Sequence, residues 1–156
     1  MTYNLYMAKN EKPAPTIRRA RPSDAAWLAA LCTQLGYPTT LEEARLRFEQ
    51  IGPREDQAIF VAEEGGEVIG WLHLYVCPLL EMDLHAEIGG LVVAEDQRGG
   101  GVGRQLIEHA GQWARQQGCK NLYVRSNVIR RRAHEFYEQI GFQIIKTQHS
   151  FLKKLP

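Results

Sequence analysis

Apolar residues recur along this chain at two different spacings, and the change from one to the other lays out its elements. Ala26, Trp27, Ala30, Leu31 and Leu35 fall three and four apart and predict a helix that Ser23 or Asp24 can cap and Gly36 stops. Ala44, Leu46, Phe48 and Ile51 predict a second, opened by Thr40 with Glu43 as a capping box and closed by Gly52-Pro53. Ile17–Arg21 ahead of them reads as a short strand. The period then falls to two. Ala58–Ala62 and Val68–Val76 are β-rich runs around the hairpin signal Glu64-Gly65-Gly66-Glu67, and a further strand runs from Leu84 to Val93. Helical spacing returns in Val102, Leu106, Ile107, Ala110, Trp113 and Ala114, up to Gly118. Asn121–Arg125 predicts a strand, Arg130–Ile140 a helix with Ala133, Phe136, Tyr137 and Ile140 on one face, and Ile144-Ile145 and His149–Leu152 two short terminal strands. The order β-α-α-β-β-β-α-β-α-β-β predicts an α/β domain whose central mixed sheet has antiparallel front strands, a parallel splayed pair and flanking helices.

Composition narrows the class. A chain of 156 residues with 44% hydrophobic content can bury one sizeable core, which predicts a single domain over 17–156 behind a flexible tail, 1–16. Lys plus Arg number 19 against Asp plus Glu 18, so no global field gathers nucleic acid or an anionic membrane. Cys32, Cys77 and Cys119 are scattered, with no C-x-x-C and no His at metal-ligand spacing; they read as reduced thiols of a cytoplasmic protein without a metal. No apolar run is long enough to span a bilayer.

The chemistry lies where the strand ending in Val92-Val93 enters Arg98-Gly99-Gly100-Gly101-Val102-Gly103-Arg104 and opens a helix. Glycines permit φ > 0 and close ligand approach, while the first helical N–H groups and the positive dipole end face the same point. This is an anion-binding design that fits a pyrophosphate. A P-loop is excluded because Arg104-Gln105 follows Gly103, and the dinucleotide pattern G-x-G-x-x-G fails at Arg104 and at Leu106. The segment does resemble the R/Q-x-x-G-x-G/A signature of the GNAT superfamily of acetyl-CoA-dependent N-acyltransferases. A second motif agrees: Ala133-His134-Glu135-Phe136-Tyr137-Glu138-Gln139-Ile140-Gly141-Phe142 is similar to that family's A-x-x-F/L-Y-x-x-x-G-F/Y.

The resemblance implies acetyl-CoA as cosubstrate. Backbone amides of Arg98, Gly99, Gly100, Gly101, Val102, Gly103 and Arg104 would cradle its pyrophosphate, the main chain of Leu91, Val92 and Val93 would pair with pantetheine as a pseudo-strand, and the Asn127 side chain would hydrogen-bond it. Tyr137 would lie at the thioester sulfur and protonate the thiolate, with the Val92 N–H stabilising the oxyanion. Glu87 matches the position a group of these enzymes uses for the base that takes the amine's proton, and His85, two residues earlier on the same strand face, is the alternative. Other readings stand beside these: Tyr137 as core, Asn127 as a helix cap, Glu87 as a solvent-facing or arginine-paired carboxylate, Gly89-Gly90 as a wider acyl pocket or a bulge, and Arg130-Arg131-Arg132 as a solvated first turn.

The expected reaction is direct attack of a small molecule's primary amine on acetyl-CoA in a ternary complex, with no acyl-enzyme on Cys119. The alternatives are a protein or peptide amine, a non-catalytic acyl-CoA-binding module and, on the arginine runs alone, an RNA-directed protein. A homodimer is compatible with the chain. Gln34–Arg47 and Lys146–Phe151 are the expected acceptor walls, and Glu42, Glu43, Glu81 and Asp83 are either attractors for a cationic amine or solvated surface charges.

Overall fold

The computed structural model describes residues 13–156, so most of the segment expected to be a tail lies outside the described residues. The described chain packs as two compact units that meet in sequence at Tyr123 and Val124.

The first unit holds strand β1 (Thr16–Arg19), helices α1 (Ala25–Leu35) and α2 (Leu41–Ile51), strands β2 (Gln57–Glu64), β3 (Glu67–Leu79) and β4 (Met82–Val93), helix α3 (Val102–Gln116) and most of strand β5 (Asn121–Val124). The sheet runs β1-β2-β3-β4-β5; the first four strands are antiparallel neighbours, and β5, arriving through α3, completes a mixed sheet beside β4. The helix boundaries follow the local chemistry. Gly36 closes α1 in the left-handed region at φ 105°, and Thr40 and Glu43 form the expected reciprocal capping box at the start of α2.

Alternation along β3 sorts its side chains to two faces. A side chain placed at Gly70 would meet Leu106 of α3, so Leu72 and Leu74 share that face and are fully buried there. Trp71 points the other way and joins Leu28 and Leu31 of α1 in a cluster with Val61, Val68 and Val92. His73, Tyr75 and Cys77 follow Trp71 onto this second face, and the register carries it to β4 through Tyr75↔Glu87 and Cys77↔His85.

Arg18 on β1 ties the sheet to the start of α1 with a fork to both Asp24 oxygens, at 2.8 and 2.9 Å, and a 2.7 Å bond to Glu63. Burial works against the charge on Asp24, but hydrogen bonds from Arg18 and from the Arg21 N–H outweigh it and hold the carboxyl below its ordinary range. A depressed carboxyl contributes stability that is complete above its unfolded pKa, near 3.9, and is lost as pH falls through the folded value. Asp24→Asn breaks the fork to a half-buried guanidinium that keeps Glu63 as a partner, and is expected to cost about 2 kcal/mol at neutral pH. The deficit should shrink below about pH 4, which urea titrations at several pH values would measure; a pH-independent deficit would contradict it.

The second unit spans Val124–Pro156. It contains α4 (Arg131–Gln139), whose Tyr137 ring sits between Phe136 and Phe142 with centroids 5.3 and 5.4 Å away. The two terminal strands expected around Ile144-Ile145 and His149–Leu152 are not formed among the described residues. Ile144, Ile145, Phe151 and Leu152 are 64–95% exposed, and a ribbon of two such short runs with no buried face is not stable enough to order itself.

Candidate active site

The end of β4 and the start of α3 form the anion-facing corner. After Val93 the chain makes a 3-10 turn over Glu95–Gln97 and an extended residue at Arg98, then reaches Gly99 and Gly101, whose φ values of 82° and 83° lie in the left-handed region. Gly101 is the N-cap of α3 and supplies no side-chain cap, so the helix's first amides face solvent at its positive dipole end. No protein atom lies within 4 Å of where a Cβ would stand at Gly99 or Gly101. Arg98–Gly101 and Arg104 are exposed, while Val102 plugs the helix start into the core. The Arg98 side chain turns back, its Nε donating to the Val93 carbonyl at 3.2 Å.

The main-chain direction of β4 differs from the expectation at one residue. Ala94 N–H donates to Ile69 O at 2.8 Å, and Val92 is in register with Trp71, so Val92 turns its main-chain groups toward β3. Leu91 and Val93 turn theirs to the opposite edge. The Val92 N–H therefore faces β3, and the amides on the open edge are those of Leu91 and Val93. The cause is a bulge: Leu74 faces Ile88 and His73 faces Gly90, leaving Gly89 as the extra residue that shifts the alternation. Gly90 has a steric reason of its own, since a Cβ there would lie 2.7 Å from the Trp71 ring. Lys120 N–H bonds to Leu84 O at the other end of β4, and β5 stops at Val124, so the Leu91–Val93 edge runs on beyond its neighbour. Gln34 at the end of α1 touches this edge like a short strand, donating to Val93 O at 3.0 Å and accepting from Glu95 N at 3.2 Å.

Glu87 is 5% exposed and His85 2%, both on the α1/α2 face of the sheet, which removes the solvent-facing reading of Glu87. His85 Nδ1 lies 3.1 Å from Asp83 O. A carbonyl only accepts, so Nδ1 is the donor in this contact. The Tyr123 ring holds the imidazole at a centroid distance of 4.5 Å. Cys77, opposite His85 in the register, completes a group whose ligand-type atoms lie within 4.8 Å of one another. Sequence spacing hid this trio; the signal was the β3–β4 hairpin, which folds Cys77 onto His85.

On the same face a cavity of about 150 Å³ opens between α1, α2 and the sheet, lined by apolar groups with Thr39, Arg47, Trp71 and His73. Burial lowers the pKa of His73, whose Nε2 is 2.8 Å from Gln57 Oε1. Trp71 Nε1 is buried with no hydrogen-bond partner among the described residues. Of the acidic residues weighed as attractors, Glu43 pairs with Arg47 of this lining, Glu42 with Arg45 and Asp83 with Lys120, all at the surface.

In the second unit, burial pushes the Tyr137 phenol up to about 12 against a smaller opposing pull from Arg130, so it is protonated throughout the neutral range. The Asn127 side chain accepts from Ile129 N–H at 3.1 Å, while its carbonyl receives Arg130 N–H at 2.9 Å and lies 3.0 Å from His134 Nε2. In this structure Asn127 forms a local turn ahead of α4, whose N-cap is Arg130 without a side-chain cap, so Asn127 does not cap the helix. Arg130–Arg132 are exposed.

Residues 24–142 match the acetyltransferase (GNAT) family. The chain is 31% identical over 132 residues to "Uncharacterized N-acetyltransferase YhfO" of Bacillus subtilis (strain 168), covering 81% of this chain and 89% of that one. It is 32% identical over 136 residues to "Aminoglycoside N(6')-acetyltransferase type 1" of Stenotrophomonas maltophilia, covering 83% and 87%. Among solved structures, the aminoglycoside N-acetyltransferase AAC(6')-Iy in complex with CoA superposes with a TM-score of 0.82 at 19% identity, covering 90% of this chain and 95% of that one. At that identity the likeness concerns the fold. No helix among the described residues is long and apolar enough to cross a membrane.

Proposed function

The chain belongs to the acetyltransferase (GNAT) family and is an acyltransferase, and on that premise we propose that it moves the acetyl group of acetyl-CoA to the primary amine of a small molecule by direct attack in a ternary complex. The observation that carries the reading is the uncapped, glycine-walled start of α3 beside the outrunning edge of β4. Those are the two main-chain surfaces that a pyrophosphate and an amide-bearing arm require.

In this reading the amides from Arg98 to Arg104 hold the pyrophosphate, the Leu91–Val93 edge aligns pantetheine, and the Leu91 N–H faces the thioester oxygen where negative charge grows. Asn127 contributes by setting the turn into α4. The amine enters the cavity between α1 and α2. His73 and Glu87 share that face, separated along the hairpin by the His73-to-Tyr75 step, on the order of 7 Å. Glu87, directly or through one water, takes the proton that the amine must lose.

The family motif assigns Tyr137 of the second unit to the departing sulfur. A thiol near 8.5 is a stronger acid than a phenol at about 12, so complete proton transfer would run uphill by about 5 kcal/mol. Its contribution is a hydrogen bond that strengthens as the sulfur becomes negative, the thiolate leaving to solvent for its proton. The volume near 150 Å³ favours a small amine or the reactive end of a larger one over a folded protein surface.

Thiol release from acetyl-CoA across a panel of small primary amines tests the function directly, and at least one amine should give turnover that saturates. Tyr137→Phe keeps the ring between Phe136 and Phe142 and should lower kcat by about 10²–10³ with acetyl-CoA affinity preserved. Full turnover in that variant would return Tyr137 to a packing role, and a panel without turnover would favour a binding module.

A further inference from the structure

We propose that Cys77, His85 and Glu87 form a binding site for a borderline-soft divalent cation, zinc foremost, and that its occupation switches the acetyltransferase off.

The geometry supplies three different donors at one place. Cys77 and His85 face each other across the β3–β4 pair, Glu87 follows His85 on the same side of the sheet, and their ligand-type atoms all lie within 4.8 Å. In a tetrahedral zinc site, bonds of 2.0–2.3 Å place ligand atoms roughly 3.3–3.8 Å apart, so side-chain rotations of about 1 Å close the trio around an ion. The fourth position is left to water. Sulfur, imidazole nitrogen and carboxylate oxygen together suit zinc and its neighbours and exclude magnesium and calcium, which take oxygen sets.

A second observation concerns His85 alone. Its Nδ1–H is held by Asp83 O at 3.1 Å and its ring by Tyr123, which orients the imidazole and leaves Nε2 as the nitrogen that can bind an ion. That is the outer-shell arrangement that orients a metal-binding histidine. With 2% and 5% exposure, His85 and Glu87 sit where a cation's charge is poorly screened, so a cation there must be met by anionic ligands. Glu87 brings one charge; Cys77 brings the second by releasing its proton to solvent as the sulfur–metal bond forms.

Metal binding needs only these three side chains. The inhibition rests on the reading of Glu87 as base, because a carboxylate bound to a cation cannot accept the amine's proton.

The test uses the full chain, freed of metal with a chelator and titrated with Co²⁺ followed by Zn²⁺. One Co²⁺ per chain should give a thiolate-to-cobalt charge-transfer band and tetrahedral d–d absorption, both displaced by Zn²⁺. Cys77→Ser should abolish the charge-transfer band, and His85→Gln should weaken Co²⁺ affinity by more than about tenfold. In amine acetylation Zn²⁺ should suppress turnover reversibly in the parent chain, while Cys77→Ser stays active and becomes insensitive. Absence of the band, or an undiminished band in Cys77→Ser, overturns the site, the latter by assigning the thiolate to Cys32 or Cys119. A band that depends on Cys77 in a chain that acetylates nothing keeps the metal site and removes the acetyltransferase reading, so the two fail separately.

Discussion

Glu87→Gln is expected to lower kcat/KM for amine acetylation by about 10²–10⁴ near pH 7 while leaving acetyl-CoA affinity within about twofold. The size follows from the acceptor. An alkyl amine resembles the lysine side chain, near 10.4, so at neutral pH all but about one molecule in a thousand is protonated and unreactive. In the proposed mechanism Glu87, buried on the same sheet face as the cavity and one strand step from its lining residue His73, removes that proton at the moment of attack; the amide of Gln fills the same space and cannot accept it. The defect should therefore shrink as pH rises, because free amine appears without help. The sign is specific: activity recovers on the alkaline side in Glu87→Gln and does not in Tyr137→Phe, whose defect lies with the leaving group. His85 is the competing base, 2% exposed and two residues away. If Glu87→Gln leaves the pH–rate profile unchanged while His85→Gln flattens it, the role passes to the histidine.

Thr40 with Glu43, Glu64-Gly65-Gly66-Glu67 and the run from Arg98 to Gly103 were legible in the sequence because each is a local device whose backbone geometry its own residues determine. Two kinds of feature were not. The first is register. The Val92 N–H faces β3, and those of Leu91 and Val93 the open edge, because the extra residue at Gly89 shifts every main-chain group after it, and a bulge reverses edges without altering the apolar pattern. The second is proximity across a hairpin: Cys77 and His85 have no metal-ligand spacing in sequence, yet antiparallel pairing sets them opposite each other. The terminal runs failed for the converse reason. Their β-rich composition predicted strands, but Ile144, Ile145, Phe151 and Leu152 remain exposed, and composition without a buried face does not order a ribbon.

Gly101→Val should abolish measurable acetyl-CoA binding, with a loss of at least about 100-fold by calorimetry, while the chain remains folded. Two effects separate at this position. Gly101 holds φ at 83°, where a residue with a Cβ costs about 1–2 kcal/mol, more when β-branched, so some stability is lost through the backbone alone. The new side chain's Cβ would have no atom beyond the adjoining residues within 4 Å, so packing adds little penalty. It occupies instead the space before the first amides of α3, where a pyrophosphate must approach closely to use them. Gly118 supplies the control. It lies just past the other end of α3 at φ 78°, also with nothing within 4 Å, so Gly118→Val carries the same kind of backbone strain far from the proposed anion site. Both variants should melt a few degrees below the parent chain, since 1 kcal/mol corresponds to about 2–4 °C at this size. Only Gly101→Val should lose acetyl-CoA. Equal losses in the two would attribute the effect to destabilisation, and undiminished affinity in Gly101→Val would move the pyrophosphate away from the start of α3, taking with it the observation on which the acetyl-transfer reading rests.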